Sequence, residues 1–148
     1  MDQREVLIRS GTVEDAQAIV RLLGELGYSL DVAGVRRNIE SWGQRDDDLV
    51  LVAELDSSIV GVLAFHITPL FHVVGNLGRI VALVVTSKTR RQGVGARLVA
   101  FAENFAQSKD CSRIELTSGE YRLEAHQFYE KLDYKIEGKR FVKRFTTG

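Results

Sequence analysis

Residues 83–98 read Leu-Val-Val-Thr-Ser-Lys-Thr-Arg-Arg-Gln-Gly-Val-Gly-Ala-Arg-Leu: an apolar strand end, a basic loop, and two glycines opening an amphipathic helix. Gly93 and Gly95 would let the backbone approach a ligand closely and leave N–H groups at the helix start without intrahelical partners. Those donors and the positive end of the helix dipole suit a phosphate, and Lys88, Arg90 and Arg91 add charge beside it. A Walker loop would need Gly-Lys-Ser/Thr, which is absent. A dinucleotide fingerprint would need a small residue where Leu98 stands and a ribose-binding acid further on. What fits is Arg-x-x-Gly-x-Gly, in Arg90, Gly93 and Gly95. A glycine-rich turn on a basic surface would read the same way.

The elements that must hold this loop follow from hydrophobic periodicity. Leu7 and Ile8 lie in a short first strand, and Thr12 followed by Glu14 and Asp15 is a capping-box-like helix start. Ala16, Ile19, Val20, Leu23 and Leu26 make one apolar helical face, and Asp31 starts a second helix carrying Val32, Val35, Ile39 and Trp42. The period then changes. Leu49–Leu55 and Ile59–Thr68 read as strands joined by Asp56-Ser57-Ser58, and Leu77–Val85 follows as a central strand after the loop Phe71–Asn76. A helix over Val94–Ser108, a strand over Arg113–Thr117 and a helix over Arg122–Leu132 come next, and strands at Tyr134–Glu137 and Arg140–Phe145 finish the sheet. The predicted order is β-α-α-β-β-β-α-β-α-β-β, an α/β fold with a mixed sheet flanked by helices, in a single domain spanning 1–148.

Composition bounds the function. The chain has 148 residues, 45% hydrophobic and 27% charged, enough for one buried core and too apolar for wholesale disorder. No apolar run reaches the ~18 residues of a membrane span, and Asp2, Arg4 and Glu5 precede any apolar stretch, so neither a membrane nor a secretory signal is expected. Cys111 is the lone cysteine, which excludes an intrachain disulfide and makes a reducing cytoplasm the expected compartment. Residues 1–75 carry 12 acidic and 6 basic side chains, and residues 76–148 carry 8 and 14. That split suits a polyanion on one side and a cation on the other, although a chance partition of surface charge would look alike.

A second block narrows the reading. Glu115-Leu116-Thr117-Ser118 ends a strand, and Ala125-His126-Gln127-Phe128-Tyr129-Glu130-Lys131-Leu132 follows on a helix. Together with Arg90-x-x-Gly93-x-Gly95 and the element order, this resembles the GNAT superfamily of N-acetyltransferases along nearly the whole chain. His66-x-x-x-x-x-His72, Glu115-Leu116 and Phe128-Tyr129 resemble its aminoalkylphosphonate-acetylating branch in particular.

The resemblance implies acetyl-CoA as co-substrate and acetyl transfer to a primary amine of a small molecule by direct attack on the thioester. It implies that the main chain of Leu83 and Val85 pairs with the pantetheine arm, and that the N–H of Val84 or its neighbour polarises the thioester carbonyl. The pyrophosphate would rest on the amides of Arg91, Gln92, Gly93, Val94, Gly95 and Ala96, with Arg90 also binding the cofactor and Ser118 across the gap. Tyr129 would serve the leaving thiolate through a strong hydrogen bond. The acidic half could attract a cationic acceptor, and pairing of exposed final strands between subunits would give a homodimer. A non-catalytic acyl-CoA sensor, or a transferase acting on protein lysines or N-termini, stays open.

Departures from the pattern matter as much. Relatives place acids where this chain has Arg79 and Ala82, so the general base is unassigned among Glu115, Glu120, His66 and His72. Arg79 and His72 could hold an anionic group of the acceptor; for Arg79, a solvated rim residue is the plainer explanation. No metal is expected, since His66 and His72 with an acid are better explained as neutral imidazoles near a loop. Asp133 stands where the family prefers glycine after the helix. Lys139, Arg140, Lys143 and Arg144 alternate with Phe141, Val142 and Phe145 as a basic edge strand would, which argues against nucleic acid as the partner.

Overall fold

Among the described residues, five strands form one sheet in the order β1-β2-β3-β4-β5. The computed structural model describes residues 5–89, 92–118 and 123–146. Residues Met1–Thr117 belong to one compact unit and Ser118–Gly148 to a second. The first unit contains β1 (Leu7–Ser10), α1 (Ala16–Glu25), α2 (Val32–Gly43), β2 (Asp48–Leu55), β3 (Ser58–Pro69), β4 (Asn76–Val85), α3 (Val94–Ser108) and β5 (Cys111–Leu116). The second contains α4 (Leu123–Lys131). No helix among the described residues is long and apolar enough to cross a membrane.

Local chemistry sets the boundaries. Asp15 accepts the Thr12 N–H at 2.8 Å and pairs with Arg9 through two contacts of 2.9 Å, which fixes the short 3₁₀ turn Val13–Asp15 leading into α1. That guanidinium, against the opposing cost of burial, holds the Asp15 carboxyl below its usual range. Asp31 caps α2 by accepting the Gly34 N–H at 2.7 Å. The β2–β3 hairpin turns on Asp56 and Ser57, both at positive φ (51° and 65°), the twist that two-residue hairpins require.

Strands β1 to β4 run antiparallel, and β4 pairs with β5 in parallel through the α3 crossover. Val52, Val62 and Val84 point to one face, where Ala16, Ile19, Leu22 and Val35 of α1 and α2 cover them. On the other face Phe65 meets Phe105 of α3 edge-on at 6.2 Å. Gly61 belongs to that second face: a Cβ there would stand 3.0 Å from Leu98 and 3.2 Å from Val94, so its absence lets the start of α3 settle on the sheet.

The expected order holds as far as α4. The two final strands do not form: 134–146 is irregular, and among the described residues 135–146 makes no backbone–backbone hydrogen bond. The alternation of Lys139 to Phe145 supplies a strand's side-chain pattern. A strand also needs a neighbour to take its N–H and C=O groups, and with none the ring of Phe141 is left 93% exposed.

Candidate active site

The site begins where the sheet stops being paired. Strand β4 is bound to β3 along its length, up to Val85 opposite Gly61, but its ladder with β5 ends at Ile80 opposite Leu116. Residues Val81–Val85 therefore have an unpartnered backbone edge on the β5 side among the described residues. The opening starts at a bulge: Phe65 faces Ile80 and Ala64 faces Ala82, so Val81 is an extra residue with no opposite number.

Ladder parity decides which groups point into the opening. Thr86 donates its N–H to the Val60 carbonyl at 2.9 Å. In an antiparallel pair, hydrogen-bonded rungs alternate. Thr86, Val84 and Ala82 thus turn their N–H and C=O toward β3, and Leu83 and Val85 turn theirs to the open edge. The β2 side agrees, because Ile67 donates to the Asp47 carbonyl at 3.0 Å, which leaves the even-numbered residues of β3 to bond β4. Val84, expected as a possible N–H donor, is corrected on this ground. Its amide faces Val62, and its side chain, 3% exposed, packs in the core. The donors at the opening are its neighbours Leu83 and Val85.

The turn after β4 leads to α3. Gly93 caps this helix at φ 78°, a left-handed conformation that an L side chain adopts only with strain. The first bond inside α3 is from the Arg97 N–H to the Gly93 carbonyl at 3.1 Å. The N–H groups of Val94, Gly95 and Ala96 consequently have no partner within the helix, the arrangement an anion requires. Gln92 differs, since its N–H is already given to the Thr89 carbonyl at 3.3 Å. The Val94 side chain is buried, so only its backbone is offered. Arg90 and Arg91 lie outside the described residues. Glu25, at the end of α1, accepts the Ser87 N–H at 3.0 Å and ties the loop to α1.

On the face shared with α1 and α2, four polar side chains stand in one transverse row. Asp48 is in register with His66, His66 with Arg79, and Arg79 with Glu115. Asp48 Oδ1 lies 2.5 Å from His66 Nδ1, and Arg45 Nε lies 3.2 Å from Asp48 Oδ2. Trp42 of α2 meets the imidazole edge-on at 6.5 Å. Arg79 donates from Nη2 to Thr117 Oγ1 at 2.7 Å, reaching from β4 to just beyond the end of β5. Glu115 pairs with Arg113 at 3.1 Å and leaves Arg79 without a carboxylate partner among the described residues. His72 is elsewhere, exposed in the loop between β3 and β4 and beyond the last rung, Pro69 opposite Asn76. The link between Asp48 and His66 escaped the sequence reading; the signal was an acid and a histidine near equivalent distances from one hairpin turn.

In the second unit, Tyr129 of α4 is packed by Phe128 at 5.1 Å and Tyr134 at 5.9 Å between ring centres. Burial pushes its phenol up to about 12, so it is a neutral donor at any working pH. Tyr134 donates its N–H to Tyr129 and Asp133 donates to Glu130, both at 3.0 Å, which closes α4 as a Schellman motif. Asp133 takes the left-handed position at φ 70°. Ser118 also lies in this second unit.

Comparison with known proteins decides the family. The acetyltransferase (GNAT) family matches residues 17–134. The chain belongs to the GNAT acetyltransferase family. It is 29% identical over 137 residues to an aminoalkylphosphonate N-acetyltransferase of Salmonella typhimurium, covering 92% of this chain and 89% of that one. Among solved structures it resembles a transcriptional regulator from Bacillus halodurans, with a TM-score of 0.85 and 27% identity over 95% of this chain and all of the other. It also resembles glucosamine-6-phosphate N-acetyltransferase from Arabidopsis thaliana, at TM-score 0.83 and 25% identity over 96% and 99%. GNAT members use acetyl-CoA as co-substrate and acetylate amines.

Proposed function

We propose that this GNAT protein transfers acetyl from acetyl-CoA to the primary amine of a small molecule by direct attack on the thioester. The observation that carries the proposal is the edge of β4 from Val81 to Val85, unpaired among the described residues and followed, after residues 86–93, by the open N-terminus of α3. An extended pantetheine arm has amides spaced to pair with such an edge as an added strand would. In this reading the N–H and C=O of Val85 take a pantetheine amide, and the Leu83 N–H takes the thioester carbonyl. A donor aimed at the developing oxyanion contributes on the order of 3 kcal/mol. The pyrophosphate lies on the amides of Val94, Gly95 and Ala96. Tyr129 supplies the hydrogen bond that lets the thiolate leave.

The acceptor carries an anionic group as well as its amine. Arg79 supports this, as a guanidinium held against a neutral hydroxyl and free of carboxylate partners among the described residues. The aminoalkylphosphonate substrate named for the Salmonella relative and the phosphorylated amino sugar named for the Arabidopsis neighbour are both of that class. The test is acetyl-CoA-dependent thiol release against aminoalkylphosphonates, amino sugars and their phosphates, polyamines and a lysine peptide, with Tyr129→Phe as control. Turnover of anionic amines, weakened in the control, is the expected result. Tight acetyl-CoA binding with no turnover across the panel would favour an acyl-CoA sensor, the reading that the absence of acids at Arg79 and Ala82 supports.

A further inference from the structure

We infer that His66, held by Asp48, is the group that takes the proton from the acceptor's ammonium. The inference rests on the acetyl-transfer reading above, because an amine must be unprotonated to attack and an alkylammonium has a pKa near 10.

Three of the four basic groups left open by the sequence are ruled out or unplaced. Glu115 is spent in an ion pair with Arg113 at 3.1 Å. His72 lies in an exposed loop off the row, and Glu120 is outside the described residues. His66 has what a base needs. A carboxylate can only accept, so the Asp48 contact places the imidazole hydrogen on Nδ1 and leaves the Nε2 lone pair unoccupied by that contact. Asp48 is itself buried, with 7% of its side chain exposed, whereas His66 keeps 32% and so reaches solvent. Trp42 limits rotation of the ring. This is the orienting logic by which an acid fixes the tautomer of a histidine base.

Among the described residues, the charged groups around the imidazole are few. Asp48 faces it from β2, with Arg45 on the far carboxylate oxygen, and Arg79 faces it from β4. Glu115 and Arg113 lie one strand further, and Asp47 is turned toward Lys109 at the end of α3, 3.9 Å away. From the rung of Arg79 to Leu83 is about 13 Å of strand, so the proton travels through water as the acceptor enters the cleft. An ammonium N–H bond breaks, its proton passes to the first of a chain of waters, each water hands on one of its own protons, and the last forms the Nε2–H bond. Asp48 then faces an imidazolium. The free amine attacks the thioester carbon and forms the N–C bond, the C–S bond breaks, and of the two protons left on nitrogen one ends on the CoA sulfur while the other stays on the amide.

The test is the pH profile of kcat/KM for wild type, His66→Gln and Asp48→Asn with one turned-over amine, alongside acetyl-CoA Kd and thermal melts. His66→Gln should lose about 10³-fold at pH 7, then recover tenfold per pH unit and meet the wild type near pH 10, where the amine is free unaided. Asp48→Asn should show a smaller loss with the same recovery, and both variants should bind acetyl-CoA as the wild type does. A loss equal at every pH, or no loss, would overturn the role of His66. If Asp48→Asn does not fold, the His66→Gln profile decides alone, and if His66→Gln does not fold, His66→Asn replaces it in the same profile. A wild type that acetylates no amine would instead refute the acetyl-transfer reading.

Discussion

Parity along β4 makes a prediction at the level of single hydrogen atoms. Replacing one residue by its α-hydroxy acid turns the amide N–H into an ester oxygen and leaves the side chain in place. At position 83 that N–H faces the open edge, so no rung of the β3–β4 ladder is touched. At position 84 the N–H bonds β3, and its removal deletes a rung beside Val62. The ester at 84 should therefore cost about 1 kcal/mol of stability, roughly 3 °C in Tm for a domain of this size, with kcat nearly unchanged. The ester at 83 should leave Tm alone and lower kcat about 10²-fold, the worth of one oxyanion donor. Thiol-release kinetics and melts on both semisynthetic proteins would read the two effects separately. The reasoning fails if the ester at 84 is the one that slows turnover, or if both positions lower Tm equally.

Other expectations follow from the same geometry. Arg79→Ala should raise KM about tenfold or more for an anionic amine and leave a neutral amine of similar size unaffected; equal effects on both would remove the anion-holding role. Asp133→Gly relieves a left-handed aspartate at the end of α4, and should stabilise the protein by about 1 kcal/mol, or roughly 3 °C in a melt. Asp15 has its pKa lowered by Arg9, so its stabilising contribution is present above the ordinary carboxylate range and disappears as pH falls through the lowered value. Arg9→Met should reduce that acid-dependent component to the part held by the Thr12 hydrogen bonds, seen as a flatter curve of Tm against pH below about 4.

Much of this architecture is legible in the amino acids. The apolar positions Leu98, Ala102, Phe105 and Ala106 delimit α3, and the residues Asp56 and Ser57 mark the hairpin. The open helix N-terminus follows from Gly93 and Gly95 alone. What could not be read is register. Counting back from Leu55 opposite Ser58 places Asp47, not Asp48, across from His66, because the irregularity between Ala53 and Glu54 shifts the pairing by one. A one-residue shift exchanges the faces of every side chain, which is why the Asp48–His66 contact was hidden. The same holds for Val84: the extra residue Val81 is set by pairing between strands, so the direction of each amide in β4 is not written in its own sequence. The segment 134–146 shows the converse, a strand-like pattern with no ladder to join.

The most direct test is to supply acetyl-CoA labelled with ¹³C in the acetyl carbonyl together with an aminoalkylphosphonate, and to follow the label by NMR. The account predicts loss of the thioester signal and appearance of an amide carbonyl on the acceptor nitrogen, dependent on the protein and slowed in the Leu83 ester. A label that stays on CoA, in protein that binds acetyl-CoA and across every amine supplied, would contradict it.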